Sequence, residues 1–301
     1  MKTIRIAYEN MWGSGFPANY MLEMFPMLRG HYQFVDSLGT TPEFVFYSVY
    51  GFATNRHEGA TRFVYSGEAG DPFRYGAQFS HGQYEAGFFH YGITCEESNH
   101  PNHLYMPQGL LHLNLYNQGV QTLVRTAPPR PRKEYFCNFV YSNGYSPDRI
   151  EFFKKLSQYK RVESCGAVLR NNNALAEAAY SKEGYLLKQR FQARCKFSIA
   201  MENSYTALYI TEKLTDPFVA GSVPIYAGAR RVAEFFNPQA FINVADFRDD
   251  EEAIEYIQQV DNDEALFQSY LDAPPFVGNV VPPCLSDSHY LQFWNQILDP
   301  L

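Results

Sequence analysis

FSIAMENSYTALYITEKLTDPFVAGSVPIYAG, running from Phe197 to Gly228, alternates two extended runs with one helical one. The first, Phe197-Ser198-Ile199-Ala200-Met201, alternates its apolar members; the second, Val223-Pro224-Ile225-Tyr226, closes the stretch. Between them Tyr209-Ile210-Thr211-Glu212-Lys213 leads into apolar residues at helical spacing, Leu214, Phe218 and Val219, with a stop at Gly221. The order strand, loop, helix, strand is the right-handed crossover of an α/β domain. Ligands of such sheets sit beyond the carboxyl ends of the strands, here at Glu202-Asn203-Ser204 and the approach to Thr211-Glu212-Lys213. A helix start with a lysine suits a phosphate and a carboxylate suits sugar hydroxyls, so a nucleotide-sugar site is expected there. Pro217 interrupts the helical run. A proline inside a helix removes a backbone bond, which predicts an irregular turn over Thr211 to Asp216, then a helix capped by Asp216 with Pro217 at its first position.

The same residues resemble the signature of the α1,3/4-fucosyltransferases, glycosyltransferase family 10, in its bacterial form. That signature reads roughly F-x-x-x-F-E-N-S, then Y-[IV]-T-E-K, then G-x-[VI]-P-[IV]-Y-x-G. It stands here as Phe197, Met201-Glu202-Asn203-Ser204, Tyr209-Ile210-Thr211-Glu212-Lys213 and Gly221-Ser222-Val223-Pro224-Ile225-Tyr226-Ala227-Gly228. So many fixed residues in one stretch make a far more specific signal than a lone glycine motif.

A length of 301 residues has room for two domains of about 150 residues each. With 46% hydrophobic and 19% charged residues the chain has ample apolar material for a core. Aromatic residues reach 17%; most are expected in that core, and exposed rings suit sugar faces. A net charge of −7 argues against an extended nucleic-acid surface but leaves room for a local basic pocket. Cys95, Cys137, Cys165, Cys195 and Cys284 form no CxxC pair, so free thiols in a reducing compartment are expected. No apolar run approaches the ~20 residues that span a bilayer. The chain begins directly with a strand-like run, without an apolar signal core, and reads as soluble and cytoplasmic.

Thr3 to Tyr8 alternates like a first strand. Beyond it Gly13-x-Gly15-x-x-Ala18, with Asp36 further on, is a partial dinucleotide fingerprint. Glu9 to Trp12 separate the glycines from the strand and Pro17 and Pro26 follow, so a packing origin is favoured. Ile6, Ala7, Trp12 and Gly13 also resemble the opening of the bacterial fucosyltransferases. Tyr20 to Leu28 reads as a helix and Glu43 to Ser48 as a buried strand. Thr61 to Glu68 reads as a strand with a carboxylate at its tip. From spacing alone a solvated loop glutamate is the better account of Glu68. Bacterial family members carry F-Y-T-G-E at this point, and the resemblance of Val64-Tyr65-Ser66-Gly67-Glu68 implies Glu68 as general base, with Asp71 as the reserve carboxylate. Phe89 to Thr94 and Tyr105-Met106-Pro107 resemble the family's D-Y-A-I-G-F and R-Y-L-R-M-P, with His90 in place of the usual acid. His90, His100, His103 and His112 follow no metal-ligand spacing, and ordinary surface or packed histidines are expected.

Arg125 to Lys133, RTAPPRPRK, is the clearest linker: its prolines stiffen the crossing and its charges keep it solvated. Tyr135 to Asn143 then opens a second domain with a near-continuous apolar strand. Pro147-Asp148-Arg149 begins a helix with Ile150, Phe153 and Leu156 on one face. Arg149 in that first turn opposes the helix dipole, which suggests a ligand anion; an exposed arginine at small cost is the plain alternative. Family members read F-V-x-S-N, a short gap, R-x-x-F, and Phe139-Val140-Tyr141-Ser142-Asn143, Arg149 and Phe152 match. Asp249-Asp250-Glu251-Glu252 is an acidic helix start, and Tyr290 to Leu298 an end helix able to pack back on the first domain.

The resemblance implies a GT-B type α/β fold, two Rossmann-like domains with a cleft between them. Residues 1–128 would bind the acceptor and 129–301 GDP-fucose. It implies inverting transfer of L-fucose to an acceptor oligosaccharide of N-acetyllactosamine or lactose type, with the 3-hydroxyl as target. Glu68 would be the base, Arg149 and Lys213 would neutralise the diphosphate, Glu212 would accept from ribose or fucose hydroxyls, and Asn203 and Tyr209 would position the nucleoside. No Asp-x-Asp motif stands in a position to serve, so no essential metal is expected, and stimulation by divalent ions stays compatible with the resemblance. Two other readings stand beside it: a non-catalytic nucleotide-sugar or glycan-binding protein on the same fold, and an NAD-dependent oxidoreductase resting on Gly13 and Gly15.

Overall fold

Eleven strands, gathered into two parallel sheets, make up the described β-structure of the computed structural model, which describes residues 1–11, 15–50, 57–69, 88–98, 100–127, 130–176 and 181–299. Trp12, Gly13 and Asp71 lie outside the described residues. Contacts divide the chain into two units: 1–119 with 206–209 and 283–301, and 120–205 with 210–282.

In the first unit β1 (Lys2–Glu9), β2 (Tyr32–Asp36), β3 (Phe44–Tyr47), β4 (Thr61–Ser66), β5 (Tyr91–Thr94) and β6 (His103–Tyr105) lie in the order β2-β1-β3-β4-β5-β6. Every pairing is parallel, so the carboxyl ends of all six strands share one edge. Tyr20 to Leu28 is not one helix but α1 (Tyr20–Met24) followed by a 3-10 turn at Pro26–Leu28. Pro26 explains the break, since it cannot donate to the preceding turn. α2 (Gln108–Leu115) follows β6.

In the second unit β7 (Tyr135–Phe139), β8 (Val162–Ser164), β9 (Cys195–Met201), β10 (Val223–Ala227) and β11 (Ile242–Asn243) run in the order β11-β10-β9-β7-β8, again all parallel. Its helices are α3 (Pro147–Tyr159), α4 (Lys182–Ala193), α5 (Glu212–Ala220), α6 (Asp250–Asn262) and α7 (Glu264–Asp272). β9 is central and buried on both faces rather than alternating, as a parallel strand covered on two sides should be. Its polar members are satisfied inside: Asn138 donates to the Phe197 carbonyl at 3.0 Å and to Ser198 Oγ at 2.6 Å.

The end helix α8 (Asp287–Leu298) belongs to the first unit. Tyr290, Trp294, Ile297 and Leu298 recur at helical spacing and enter the core that holds Phe46 and Phe63, with the Trp294 ring 5.5 Å from that of Phe63. At about 1.5–3 kcal/mol per fully buried large side chain, this stripe is a substantial part of that core's stability.

Arg125 departs from the solvated linker that the prolines suggested. It is part of the second unit and donates there to the carbonyls of Leu271, Ala273 and Phe218 at 2.9–3.2 Å. A guanidinium there adds a donor to carbonyls at the ends of α5 and α7, where the regular helical ladder runs out. No helix among the described residues is long and apolar enough to cross a membrane.

Candidate functional site

The helix of the Phe197–Gly228 stretch starts earlier than Pro217 suggested. α5 runs unbroken from Glu212, with Thr211 as its N-cap, and ends on the left-handed Gly221. Asp216 is therefore not a cap. It is fully buried inside the helix and accepts hydrogen bonds from Tyr185 at 2.7 Å and Lys188 at 2.8 Å. Pro217 costs one bond, the one the Lys213 carbonyl would have accepted, and the Asp216 anchors hold the helix through it.

This start places Glu212 and Lys213 in the first turn, beside the carboxyl end of β9. Lys213 Nζ lies 3.2 Å from Glu202, 3.5 Å from Glu212 and 3.0 Å from Thr211 Oγ1. Glu202 is fully buried. It accepts from the Thr211 amide at 2.8 Å and from the Thr211 hydroxyl on both carboxylate oxygens, at 2.9 and 2.8 Å. Burial pushes the Glu202 carboxyl above its ordinary value, against the pull of Lys213 and the Thr211 donors. Gly228 is required behind it: a Cβ there would sit 2.6 Å from Glu202 Cγ and 2.5 Å from the Tyr226 hydroxyl.

Arg149 lies in the first turn of α3 and is 2% exposed. Its guanidinium stacks over the Tyr141 ring at 4.3 Å and donates to the Asn143 carbonyl at 2.5 Å and side-chain oxygen at 3.2 Å. No carboxylate among the described residues pairs with it, and its Nε is buried without a hydrogen-bond partner. Burying a cation in this way is expensive unless an anion joins it. Tyr141 is fixed in turn by β9: its hydroxyl donates to the carbonyls of Ile199 and Met201 and accepts from the Met201 amide at 2.9 Å. Gly166 lets the chain pass, since a Cβ there would come within 2.2 Å of the Tyr141 carbonyl. Burial raises the Tyr141 phenol, while Lys213 and Arg149 both oppose that rise. One tyrosine thus feels both cations, and two helix N-termini with a buried arginine and a lysine meet in one neighbourhood. That arrangement suits a multiply charged anion.

Asn203 is exposed and makes no side-chain hydrogen bond among the described residues. Tyr209 is buried and belongs, with residues 206–209, to the first unit. That short segment is held by Glu96, a 6% exposed carboxylate that accepts from the Thr206 hydroxyl and from the Leu208 amide at 3.3 Å. Tyr105 donates to the Leu208 carbonyl at 3.0 Å. Neither the Glu96 anchor nor the buried role of Glu202 emerges from sequence reasoning.

Glu68 follows the carboxyl end of β4, half-buried. Its amide is held by Ser66 Oγ at 3.2 Å and its carbonyl accepts from Cys95 Sγ at 3.1 Å. The Tyr50 hydroxyl donates to Oε1; Oε2 has no partner among the described residues. A carboxylate oriented through one oxygen and open at the other can accept a proton from an incoming hydroxyl. His90 lies on Arg62, and His103 Nε2 is 2.7 Å from Thr94 Oγ1. Among the described residues no three His, Cys, Asp or Glu side chains gather as a metal site.

Residues 129–273 match the profile of glycosyltransferase family 10 (fucosyltransferase), C-terminal. That stretch, a little under half of the chain, is a glycosyltransferase family 10 domain. The chain is 35% identical over 144 residues to the alpha-(1,3)-fucosyltransferase FucT of Helicobacter pylori, a match covering 47% of this chain and 27% of that protein. It is 32% identical over 146 residues to the mouse (Mus musculus) 4-galactosyl-N-acetylglucosaminide 3-alpha-L-fucosyltransferase 9, covering 47% of this chain and 38% of that protein. The matched stretch thus spans well under half of either relative. A crystal structure of an alpha1,3-fucosyltransferase with GDP-fucose superposes with a TM-score of 0.71 at 22% identity, covering 99% of this chain and 91% of that one. At that identity the likeness concerns the fold, which is of the GT-B type: two α/β units, each built on a parallel sheet.

Proposed function

We propose that this chain transfers L-fucose from GDP-fucose to a hydroxyl of an acceptor glycan, inverting the anomeric centre. The single observation that carries the reading is Arg149: a buried cation at a helix N-terminus, without a carboxylate partner among the described residues and with Nε unsatisfied. A pyrophosphate supplies the missing acceptor and charge. Lys213, held by Glu202, adds the second positive group. Glu212 offers a carboxylate to ribose or fucose hydroxyls, and Asn203 an exposed amide to the nucleoside; Tyr209 remains assigned by resemblance alone.

In the reaction the acceptor hydroxyl oxygen bonds to the fucose anomeric carbon as that carbon's bond to the diphosphate oxygen breaks. The bonding pair leaves with GDP, stabilised by Arg149 and Lys213, and the hydroxyl proton passes to Glu68. Attack opposite the leaving group turns the β-linked donor into an α-fucoside. The reading requires Glu68 and both cations to act on one bound substrate. The acceptor side is assigned to residues 1–128 and the donor side to 129–301, with a 3-hydroxyl of an N-acetyllactosamine- or lactose-type sugar as target.

Incubation with GDP-fucose and a panel of lactose, N-acetyllactosamine and chitobiose acceptors, with linkage analysis, tests this. The expected result is acceptor-dependent GDP release and an α1,3-fucoside. Binding of GDP-fucose with no release of GDP would make the chain a non-catalytic binding protein instead.

A further inference from the structure

At the carboxyl ends of β1 and β2, well along the sheet from Glu68, lies a cavity of about 400 Å³ that the proposed reaction does not use. Tyr8, Asn10, Gly15, Phe16, Asp36 and Leu38 are among the residues that line it. Tyr8 and Phe16 form an aromatic wall, their rings 5.9 Å apart, with Tyr20 set edge-on to Phe16 at 4.9 Å. Asp36 ends β2, is exposed, and accepts no side-chain hydrogen bond and forms no ion pair among the described residues. Its charge reaches the Tyr8 phenol, which burial raises and Asp36 raises further. Leu38 is 88% exposed at φ 42°, and Asn10 has φ 57°. Left-handed backbone at non-glycine residues costs on the order of 1–3 kcal/mol and collects at ligand clamps. Two such residues line one hollow, one of them an exposed leucine.

The geometry points to a saccharide subsite that holds a sugar ring of an oligosaccharide acceptor remote from the reacting hydroxyl. This rests on the glycosyl-transfer reading above and adds to it a reason for preferring longer acceptors. A sugar ring presents an apolar C–H face to aromatic rings and hydroxyl donors to a carboxylate, the two surfaces this hollow offers. The volume lies at the small end of ligand pockets and suits one or two rings. Three inter-strand spacings separate β2 from β4 in the sheet, about 14 Å, a span that a short oligosaccharide bridges. A dinucleotide fits less well. Its pyrophosphate needs a helix N-terminus at the glycine turn, and the helix that follows, α1, has five residues and no side-chain cap. A carboxylate on the rim also repels phosphate.

Saturation-transfer NMR and calorimetry on the whole chain, with N-acetyllactosamine and with a tetrasaccharide of two lactosamine units, test the subsite in wild type, Asp36→Asn and Phe16→Ala. Wild type should bind the tetrasaccharide about tenfold more tightly than the disaccharide, and each variant should lose that gain while binding the disaccharide and GDP as before. Equal affinity for both sugars in wild type, or a gain retained in both variants, overturns the proposal. So does NADH binding that Asp36→Asn abolishes, which would hand the hollow to a dinucleotide. Because the readout is binding, a chain-length gain in a protein that never turns over GDP-fucose would sink the activity and leave the subsite. Turnover without the gain would do the reverse.

Discussion

Arg149 keeps 2% of its surface accessible and Glu202 none, whereas Tyr50, which holds Glu68, keeps 42%. The charges of the second unit are enclosed before any ligand arrives and are only partly compensated: Tyr141 lies under the guanidinium, Thr211 on the carboxylate and Glu202 against the ammonium, while Arg149 Nε is left without an acceptor. The proposed base of the first unit is half-exposed and, among the described residues, steered by a single phenol. Removing a group from the enclosed cluster should therefore disturb folding as well as binding. Removing one from the open carboxylate should disturb chemistry alone.

The largest expected effect is on Glu68→Gln. Transfer should fall roughly 10²–10⁴-fold, the range of a lost general base, with unchanged melting temperature and GDP affinity. Initial rates beside thermal melts check this, and a lowered melting temperature would break the contrast between the units. Glu202→Ala should do the opposite and destabilise by about 3–5 kcal/mol in urea denaturation, since it strands both Thr211 donors and takes the nearer of two carboxylates from Lys213.

A pH effect sharpens the same contrast. The Glu202 carboxyl is raised above its unfolded value of 4.5, so the folded protein holds that proton more tightly than the unfolded chain. Stability from this group is full below 4.5 and is lost as pH rises through the raised value. Glu202→Gln should flatten that slope in urea midpoints measured across the acid range; an unaltered slope would assign it elsewhere. The smallest effect belongs to Tyr50→Phe, which removes one hydrogen bond from Glu68. Transfer should slow by about 1 kcal/mol of barrier with stability and GDP affinity kept, as paired rate and binding measurements will show.

How far the sequence discloses these features follows from the range of the contacts involved. The β9–α5–β10 crossover is legible because its apolar spacing, its Gly221 stop and its dense motif are all local. Arg149 is legible because a cation in a helix's first turn runs against the dipole. The start of α5 was not, because Pro217 outweighs Thr211 in any local reading, and only Tyr185 and Lys188, 31 and 28 residues away, fix Asp216 within the helix. Glu202 reads only as part of a strand-end cluster where ligands sit, and nothing local shows that Thr211 folds back over it. Glu96 carries no signal at all, since its partners stand 110 and 112 residues further on. Arg125 likewise sits among prolines that suggest solvent, yet its partners are helix-end carbonyls of the second unit.

Calorimetric titration of GDP and of guanosine into wild type and Arg149→Ala tests the central claim most directly. The account predicts that the variant loses about 1.5–3 kcal/mol of GDP affinity, the worth of hydrogen bonds to a charged group, and binds guanosine as wild type does. An identical GDP titration in the two proteins would contradict a pyrophosphate at Arg149.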